Sequence, residues 1–262
     1  MNTMKKLMTF TFVLSCTVAL AAGPAFGQAN DATVEQLGQG NDATLEQVGD
    51  DNLGDIFQGK ADEFAEAIGL PPAAGEGTAN DNEATLEQVG DENGAFIDQG
   101  LVNATAEDNV ASIQQSGDEN GTATDVVSHT VGLIQGSGPN RVAEDNEAHI
   151  TQTGDDNDAN IWQAFNLDEN GLVTDQVGDA MDNTALIDQN GDENSAFIGQ
   201  GITDTDAEDS YAEIFQDGDE NDAEILQHGS DHWALVEQFG NGDVAFVDQA
   251  GTNNTATVTQ SN

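Results

Sequence analysis

The sequence predicts an all-β chain wound into a β-solenoid, built from strand-turn units of about eleven residues with two units per coil. Three observations predict it. The first is the spacing Asn-x-Ala-x-(Ile/Leu/Val)-x-Gln-x-Gly-x-x, which stands as Asn30, Ala32, Val34, Gln36, Gly38 and again as Asn41, Ala43, Leu45, Gln47, Gly49. Counting a Gln six residues after an Asn or its stand-in gives seventeen units, the last being Asn254, Ala256, Val258, Gln260. The second is that the fixed residues fall at every other position, as on a strand with one buried face, and the apolar spacings of a helix are missing. The third is a turn sequence such as Gly90-Asp91-Glu92-Asn93 or Gly218-Asp219-Glu220-Asn221 after the strand. Glycine reaches positive φ and Asp or Asn bonds locally to turn backbone, so four residues suffice to reverse the chain.

Each inward position has a physical task. The aliphatic position holds Ile, Leu or Val in sixteen of the seventeen units, with Thr174 the exception. The small position is Ala in fourteen, with Gly54, Val131 and Leu172 in the others. Facing sheets lie only ~10 Å apart, which alanine permits and the aliphatic fills. Inward amides must be hydrogen-bonded, and identical amides stacked at strand spacing bond up and down a ladder. The ladder residues are Asn30, Gln36, Asn41, Gln47, Asn82, Gln88, Asn146, Gln152, Asn221, Gln227, Asn254 and Gln260. About eight coils at ~4.8 Å per strand would make a rod of roughly 40 Å.

Residues 1–27 read as a secretory signal peptide, with Lys5 and Lys6 as the charged start, an apolar run over 7–22 and Ala25-Phe26-Gly27 as a small-x-small cleavage site. The only cysteine, Cys16, lies in that run, so the repeat region 28–262 is held by backbone pairing and its core without disulfides. Two stretches break the pattern. Residues 60–80, with Pro71-Pro72 and an Ala/Gly-rich run, read as an excursion loop with room for a short helix. Residues 120–145 are degenerate, although His129, Val131, Leu133 and Gln135 keep the spacing. Residues 91–120 align without gaps to 192–221, an internal duplication of several coils.

The formal charge is -46, and loss of Lys5 and Lys6 takes it to -48, leaving Lys60 and Arg141 as the basic residues. No basic surface is available to displace the counterions of nucleic acid or to meet anionic lipid. No segment after the leader is apolar for long enough to span a bilayer, so membrane insertion is not expected.

The joined string Gln36-x-Gly38-x-x-Asn41-x-Ala43-x-x-x-Gln47, repeated as Gln216-x-Gly218-x-x-Asn221-x-Ala223-x-x-x-Gln227, resembles the curlin repeat of curli subunits. The likeness covers most of the chain behind the leader. It implies a secreted structural protein that self-assembles into extracellular amyloid fibres of biofilm matrix and adhesion. It also implies the chain itself, outer-membrane export machinery and a nucleator subunit as partners, and a fimbrium-like location at the cell surface.

Repeats running from Asn30 to Gln260 with no capping helix between them leave strand edges open at both terminal coils. The stretch 249–262 carries no charge, and Thr255, Thr257, Val258 and Thr259 are the expected polymerisation edge. Outward positions are often acidic, as at Asp31, Glu35, Asp42, Glu46, Glu83, Glu87, Asp98, Asp188, Glu237 and Asp248. Stacked at strand spacing these carboxylates repel, so assembly should quicken near the sequence pI of about 4.1 or in high salt. His129 and His232 take the Asn position of their units, a core or turn role, and no metal or cofactor is expected. Trp162, Tyr211 and Trp233 sit at outward offsets as isolated aromatics. Acidic turns such as 154–158 lack the spacing of dedicated calcium loops. Aspartate is too abundant for any carboxylate pair to indicate catalysis, and no enzyme is expected. The alternative reading is a non-polymerising acidic β-solenoid that serves as an adhesin or cation-binding surface protein.

Overall fold

A computed structural model describes residues 30–59, 78–101, 105–121, 132–137, 142–164, 179–202 and 206–261. They form eight stacked coils of parallel strands. One face holds β1 (Asp31–Gln36), β4 (Leu53–Gln58), β7 (Gly94–Leu101), β10 (Gly132–Ser137), β13 (Asp158–Gln163), β16 (Ser195–Gln200), β19 (Asp222–Ser230) and β21 (Val244–Thr252). The opposite face holds β3 (Asp42–Val48), β6 (Glu83–Val89), β9 (Val110–Ser116), β12 (Glu147–Thr153), β15 (Thr184–Asn190), β18 (Tyr211–Asp217), β20 (Trp233–Phe239) and β22 (Thr255–Ser261). Successive coils pair strictly in register, so that Ala43, Leu45 and Gln47 meet Ala84, Leu86 and Gln88, and these meet Ala111, Ile113 and Gln115. The fold is the all-β solenoid, two units to a coil, that the period of two and the turn residues specify.

A one-residue slip would send every aliphatic to the outside, which is why the register holds through all eight coils. The inward Ala and Ile/Leu/Val columns of both faces form one continuous core, in which Ile56, Leu86, Ile97, Ile113, Ile150 and Ile161 are fully buried. At Gly54, which takes the place of alanine between Ala32 and Ala95, a Cβ would fall 2.9 Å from Leu86 Cδ2 of the facing sheet, so the leucine fills the space that a methyl takes elsewhere in the column.

The two edges of the rod differ. One is the short reversal, where Gly49, Gly90, Gly117, Gly154 and Gly191 stack with φ between 112° and 133°. A Cβ on Gly90 would fall 2.0 Å from the carbonyl oxygen of Gly117, so only glycine fits this column. The other edge is a third wall, a feature that four-residue reversals alone do not contain. It is made of β2 (Gly38–Gln39), β5 (Thr78–Asn80), β8 (Thr105–Glu107), β11 (Val142–Glu144), β14 (Ala180–Met181) and β17 (Ala207–Glu208), continued by the ends of β19 and β21. Its signature is a second short pattern, Ala79, Ala106, Ala143, Ala180 and Ala207, each fully buried, followed two residues later by an Asp in left-handed conformation.

Three readings of the sequence change. Residues 78–80 of the expected excursion are strand β5, while 60–77 lie outside the described residues. The Asn column at the degenerate stretch is filled by Asn120, whose N–H and Nδ2 donate to Asn93 Oδ1 at 3.1 Å, and not by His129, which lies outside the described residues with Val131. Leu133 and Gln135 do stand in the columns, against Ile97 and Gln99 on one side and Ile161 and Gln163 on the other. The tenth unit, 170–176, is not needed as a rung among the described coils. Gln163 bonds directly to Gln200 and Gln152 to Gln189, so the ladders close without it, and its residues lie outside those described.

Candidate functional site

Two glutamine columns run the length of the rod, beside two asparagine columns that hold Ser210 and His232 in one and end on Asp243 in the other. On the second face Gln47 Nε2 donates to Gln88 Oε1 at 2.8 Å, and the chain of bonds continues through Gln115, Gln152, Gln189, Gln216 and Gln238 to Gln260. On the first face it runs from Gln36 through Gln58, Gln99, Gln135, Gln163, Gln200 and Gln227 to Gln249. The other N–H of these amides goes to backbone carbonyls inside the coil, as from Gln88 to Leu53 at 3.0 Å. Asparagines work in the reverse sense. Asn82 accepts the backbone and side-chain N–H groups of Asn109 on its Oδ1, both at 3.0 Å, while its own Nδ2 donates to Ala106. The columns are therefore polar: glutamines donate forward along the rod and asparagines donate backward.

Polarity makes the two ends different. At the first coil, Gln47 is 3 % exposed and its Oε1 is buried with no hydrogen-bond partner. In every later rung that oxygen accepts from the coil before. At the last coil, Gln260 Nε2 donates to Val244 O at 3.0 Å and Gln249 Nε2 to Trp233 O at 3.1 Å, which leaves each amide a second N–H toward the open edge. Among the described residues, β1 and β3 at one end, and β21 and β22 at the other, each pair on one side only.

Of the residues singled out from the sequence, Asn30, Gln36, Asn41 and Gln47 are rungs of the first coil, Asn82 and Gln88 of the second, and Asn146 and Gln152 of the fourth. Asn221 and Gln227 lie in the seventh coil, and Asn254 and Gln260 in the eighth. Thr255, Thr257 and Thr259 point outward along β22, and Val258 points inward and is half-buried against the core. Thr259 Oγ1 donates to Glu237 Oε2 at 3.1 Å, covering the last carboxylate of that column.

Charge is distributed in columns as well. On the glycine edge, Asp50 N–H donates to Asp91 Oδ1 at 2.8 Å, and the same bond repeats through Asp118, Asp155, Asp192 and Asp219 to Asn241. Beside them Asp51, Glu92, Glu119, Asp156, Glu193 and Glu220 all adopt positive φ. This crowding pushes Glu119 above the usual carboxylate range, through Asp156 first and Glu92 next. Burial raises Asp158 to about 6, partly opposed by the hydrogen bond from Asn160. Burial and then Glu213 and Asp217 raise Asp188.

Two outward features were hidden from sequence reasoning. Phe57, Phe96 and Asp98 point away from the core by alternation, yet all three are buried, so the outer face of the first sheet is covered at its middle coils and Asp98 is not a surface carboxylate. The aromatics are not isolated either: Trp162 meets Phe197 edge-on at 5.0 Å, and Tyr211 stacks on Trp233 at 6.2 Å. Strand pairing brings them together across 35 and 22 residues of sequence, and nothing local announces that. No helix among the described residues is long and apolar enough to cross a membrane, and no group of metal-ligating side chains is present among them.

Comparison with known proteins agrees with this geometry. The curlin associated repeat matches residues 27–59, 79–117, 180–205, 207–240 and 234–261, more than half of the chain, with the fourth coil and β13 outside the matched ranges. No curated protein matches the chain. Matched repeats that coincide with the stacked rungs place this protein in the curlin-repeat family of structural fibre subunits.

Proposed function

We propose that the protein is a secreted subunit that adds end to end into curli-like extracellular amyloid fibres, serving biofilm matrix and adhesion at the cell surface. Residues 1–27 direct export from the cytoplasm, and outer-membrane export machinery and a nucleator subunit act with it. The observation that carries this reading is the buried Gln47 Oε1 with no partner at one end, matched by the spare N–H of Gln260 at the other. A buried amide oxygen left unbonded costs ~1–3 kcal/mol, which the docking of another copy recovers.

Continuing the register from chain to chain seats Ala256, Val258 and Gln260 on Ala43, Leu45 and Gln47 of the next copy. Ala245, Val247 and Gln249 then meet Ala32, Val34 and Gln36. The two ends are unlike, so addition is head to tail and generates an open filament with one polarity. The bare coils favour this. Neighbouring rungs at the ends lie 22 residues apart, as Gln36 and Gln58 or Gln238 and Gln260 do, whereas rungs between them lie up to 41 residues apart, as Gln58 and Gln99 do.

The test is seeded growth of chain 28–262, followed by fibre diffraction, beside a chain ending at residue 251 that lacks β22. Full-length protein is expected to elongate seeds and give a cross-β pattern with ~4.8 Å spacing along the fibre. The shortened chain is expected to elongate at least about tenfold more slowly, equivalent to ~1.4 kcal/mol at the seam. A full-length chain that stays monomeric with seeds present, or a shortened chain that grows equally fast, overturns the proposal. The first result would favour the free-standing adhesin.

A further inference from the structure

We infer that His232 is a proton-sensitive latch that holds the eighth coil on the seventh. Its ring occupies the asparagine column of the third-wall edge, where the order of rungs is Asn146, Asn183, Ser210, His232 and Asn254. In an asparagine rung the Oδ1 is an acceptor at every pH and receives the N–H of the next coil. In this rung the acceptor is a ring nitrogen: Asn254 N–H donates to His232 Nδ1 at 3.3 Å. The other nitrogen, Nε2, lies 3.1 Å from the backbone carbonyl of His228.

The partners fix the tautomer. A carbonyl only accepts and a backbone N–H only donates, so Nε2 carries the proton and Nδ1 is bare. A second proton would go on Nδ1, converting the acceptor into a donor that faces another donor. The site is 2 % exposed, so water does not replace the lost bond. Asn254 immediately precedes β22 and its carbonyl accepts from Trp233 N–H at 2.9 Å, so this rung sits where the last strand begins to pair with its neighbour. His232 has no counterpart in the other asparagine column, where Asn221 Oδ1 holds Asp243 N–H at 3.0 Å.

The charged and titratable groups around the ring come from each element packed there. From β19 there is His228, held below its ordinary value mainly by burial although Asp248 on β21 opposes this. From the preceding coil there are Glu208 and Asp209, and Asp231 adjoins the ring in sequence. The turn above it, Ala250 to Asn254, is uncharged. Glu208 and Asp209 thus lie below the ring, Asp231 beside it and Asp248 above, while the turn that carries Asn254 brings no carboxylate to meet an imidazolium.

Under the end-to-end assembly proposed above, the latch governs the coil that receives the next copy. Acid then has two opposed effects on growth, relieving carboxylate repulsion while loosening the docking coil. The latch itself rests on the His232 geometry and is read without fibres. Hydrogen-exchange mass spectrometry on full-length monomer would follow peptides covering 250–262 and 210–220 between pH 7.5 and 5.0, with rates expressed as protection factors. Protection of 250–262 is expected to fall about tenfold on acidification while 210–220 stays constant. His232→Asn, the residue most common in this column, is expected to abolish the fall. His228→Gln, which keeps the accepting carbonyl, is expected to preserve it. Constant protection in the parent chain, an equal fall in His232→Asn, or loss of the fall in His228→Gln overturns the assignment. Fibre growth that fails while exchange behaves as expected would count against the assembly reading alone.

Discussion

The middle of the rod and its two ends are built from the same unit and solve different problems. In coils two to six every amide has a rung on both sides, extra residues are inserted between strands, and outward side chains such as Phe57, Phe96 and Asp98 are buried. The ends are bare and half-paired. They also diverge from each other in charge. The first coil keeps Asp42, Glu46, Asp50 and Asp51. The last coil replaces column after column with a neutral residue: Asn241 follows Asp219, Gly242 follows Glu220, Asn253 follows Asp231 and Thr259 follows Glu237. On the assembly proposed above, a coil without these charges lets an acidic end land with fewer facing carboxylates, Asp248 against Glu35 being the pair that remains.

The sharpest contrast concerns the core. Ile150 is fully buried between rungs on both sides, whereas Val258 has a rung on one side and is half-buried. Ile150→Ala is expected to destabilise the monomer by about 2–5 kcal/mol, because the cavity has no way to collapse in a column of locked strands. Val258→Ala should cost only about 0.5–1.5 kcal/mol in the monomer. Urea denaturation measures both, and equal losses would mean that the last coil is as fully packed as the middle. In the fibre the difference should shrink, since Val258 then acquires its second neighbour.

The covered outer face makes the next contrast. Asp158 lies on the middle of the first sheet, and its carboxyl is raised from 3.8 to about 6 by burial. A raised carboxylate destabilises the fold while it is charged. The penalty is present in full above the folded value near 6, and stability rises as pH falls toward 3.8, where the unfolded chain also takes up its proton. Asp158→Asn is expected to add roughly 2–3 kcal/mol at pH 7.5 and to lose that advantage between pH 6 and 4. Asp31, which heads the same kind of strand at the bare end, is exposed, and its Asn variant should change stability by less than about 0.5 kcal/mol. Denaturation midpoints at three pH values decide this, and a gain for Asp158→Asn that persists at pH 4 would exclude charge burial as its cause.

How much of this was open to reading from residues alone follows the same division. Wherever side chains act through the period of two, the sequence suffices: Leu133 and Gln135 fall in their columns despite a disturbed neighbourhood. Wherever an insertion interrupts the count, spacing misleads. The Gln-six-after-Asn rule chose His129 because it assumes an unbroken strand, whereas the Asn rung is Asn120, 15 residues ahead of Gln135. The third wall was legible in principle from Ala79, Ala106, Ala143, Ala180 and Ala207, each three residues ahead of an Asn or Ser rung. It was obscured because the residues between it and the preceding strand vary in number. Burial of Asp98 and stacking of Tyr211 on Trp233 depend on what lies over or beside a strand, and no local pattern encodes that.

The smallest effect tests the neutral coil directly. Thr259→Glu restores at the last coil the carboxylate that Glu237 supplies one rung below, and it removes the hydroxyl that donates to Glu237 at 3.1 Å. In the monomer the side chain is exposed and the cost should be below about 1 kcal/mol. At the seam the new carboxylate would stand between Glu237 and Glu46 of the incoming copy, three like charges at strand spacing. Seeded elongation is therefore expected to slow about three- to fivefold at low ionic strength, with most of the loss recovered at 0.5–1 M salt, where the screening length approaches the strand spacing. Thr259→Gln, similar in size and uncharged, should elongate nearly as the parent does. If Gln slows growth as much as Glu, or salt rescues neither, then shape and not charge sets the receiving end apart, and the difference between the last coil and the middle ones lies in its open edge alone.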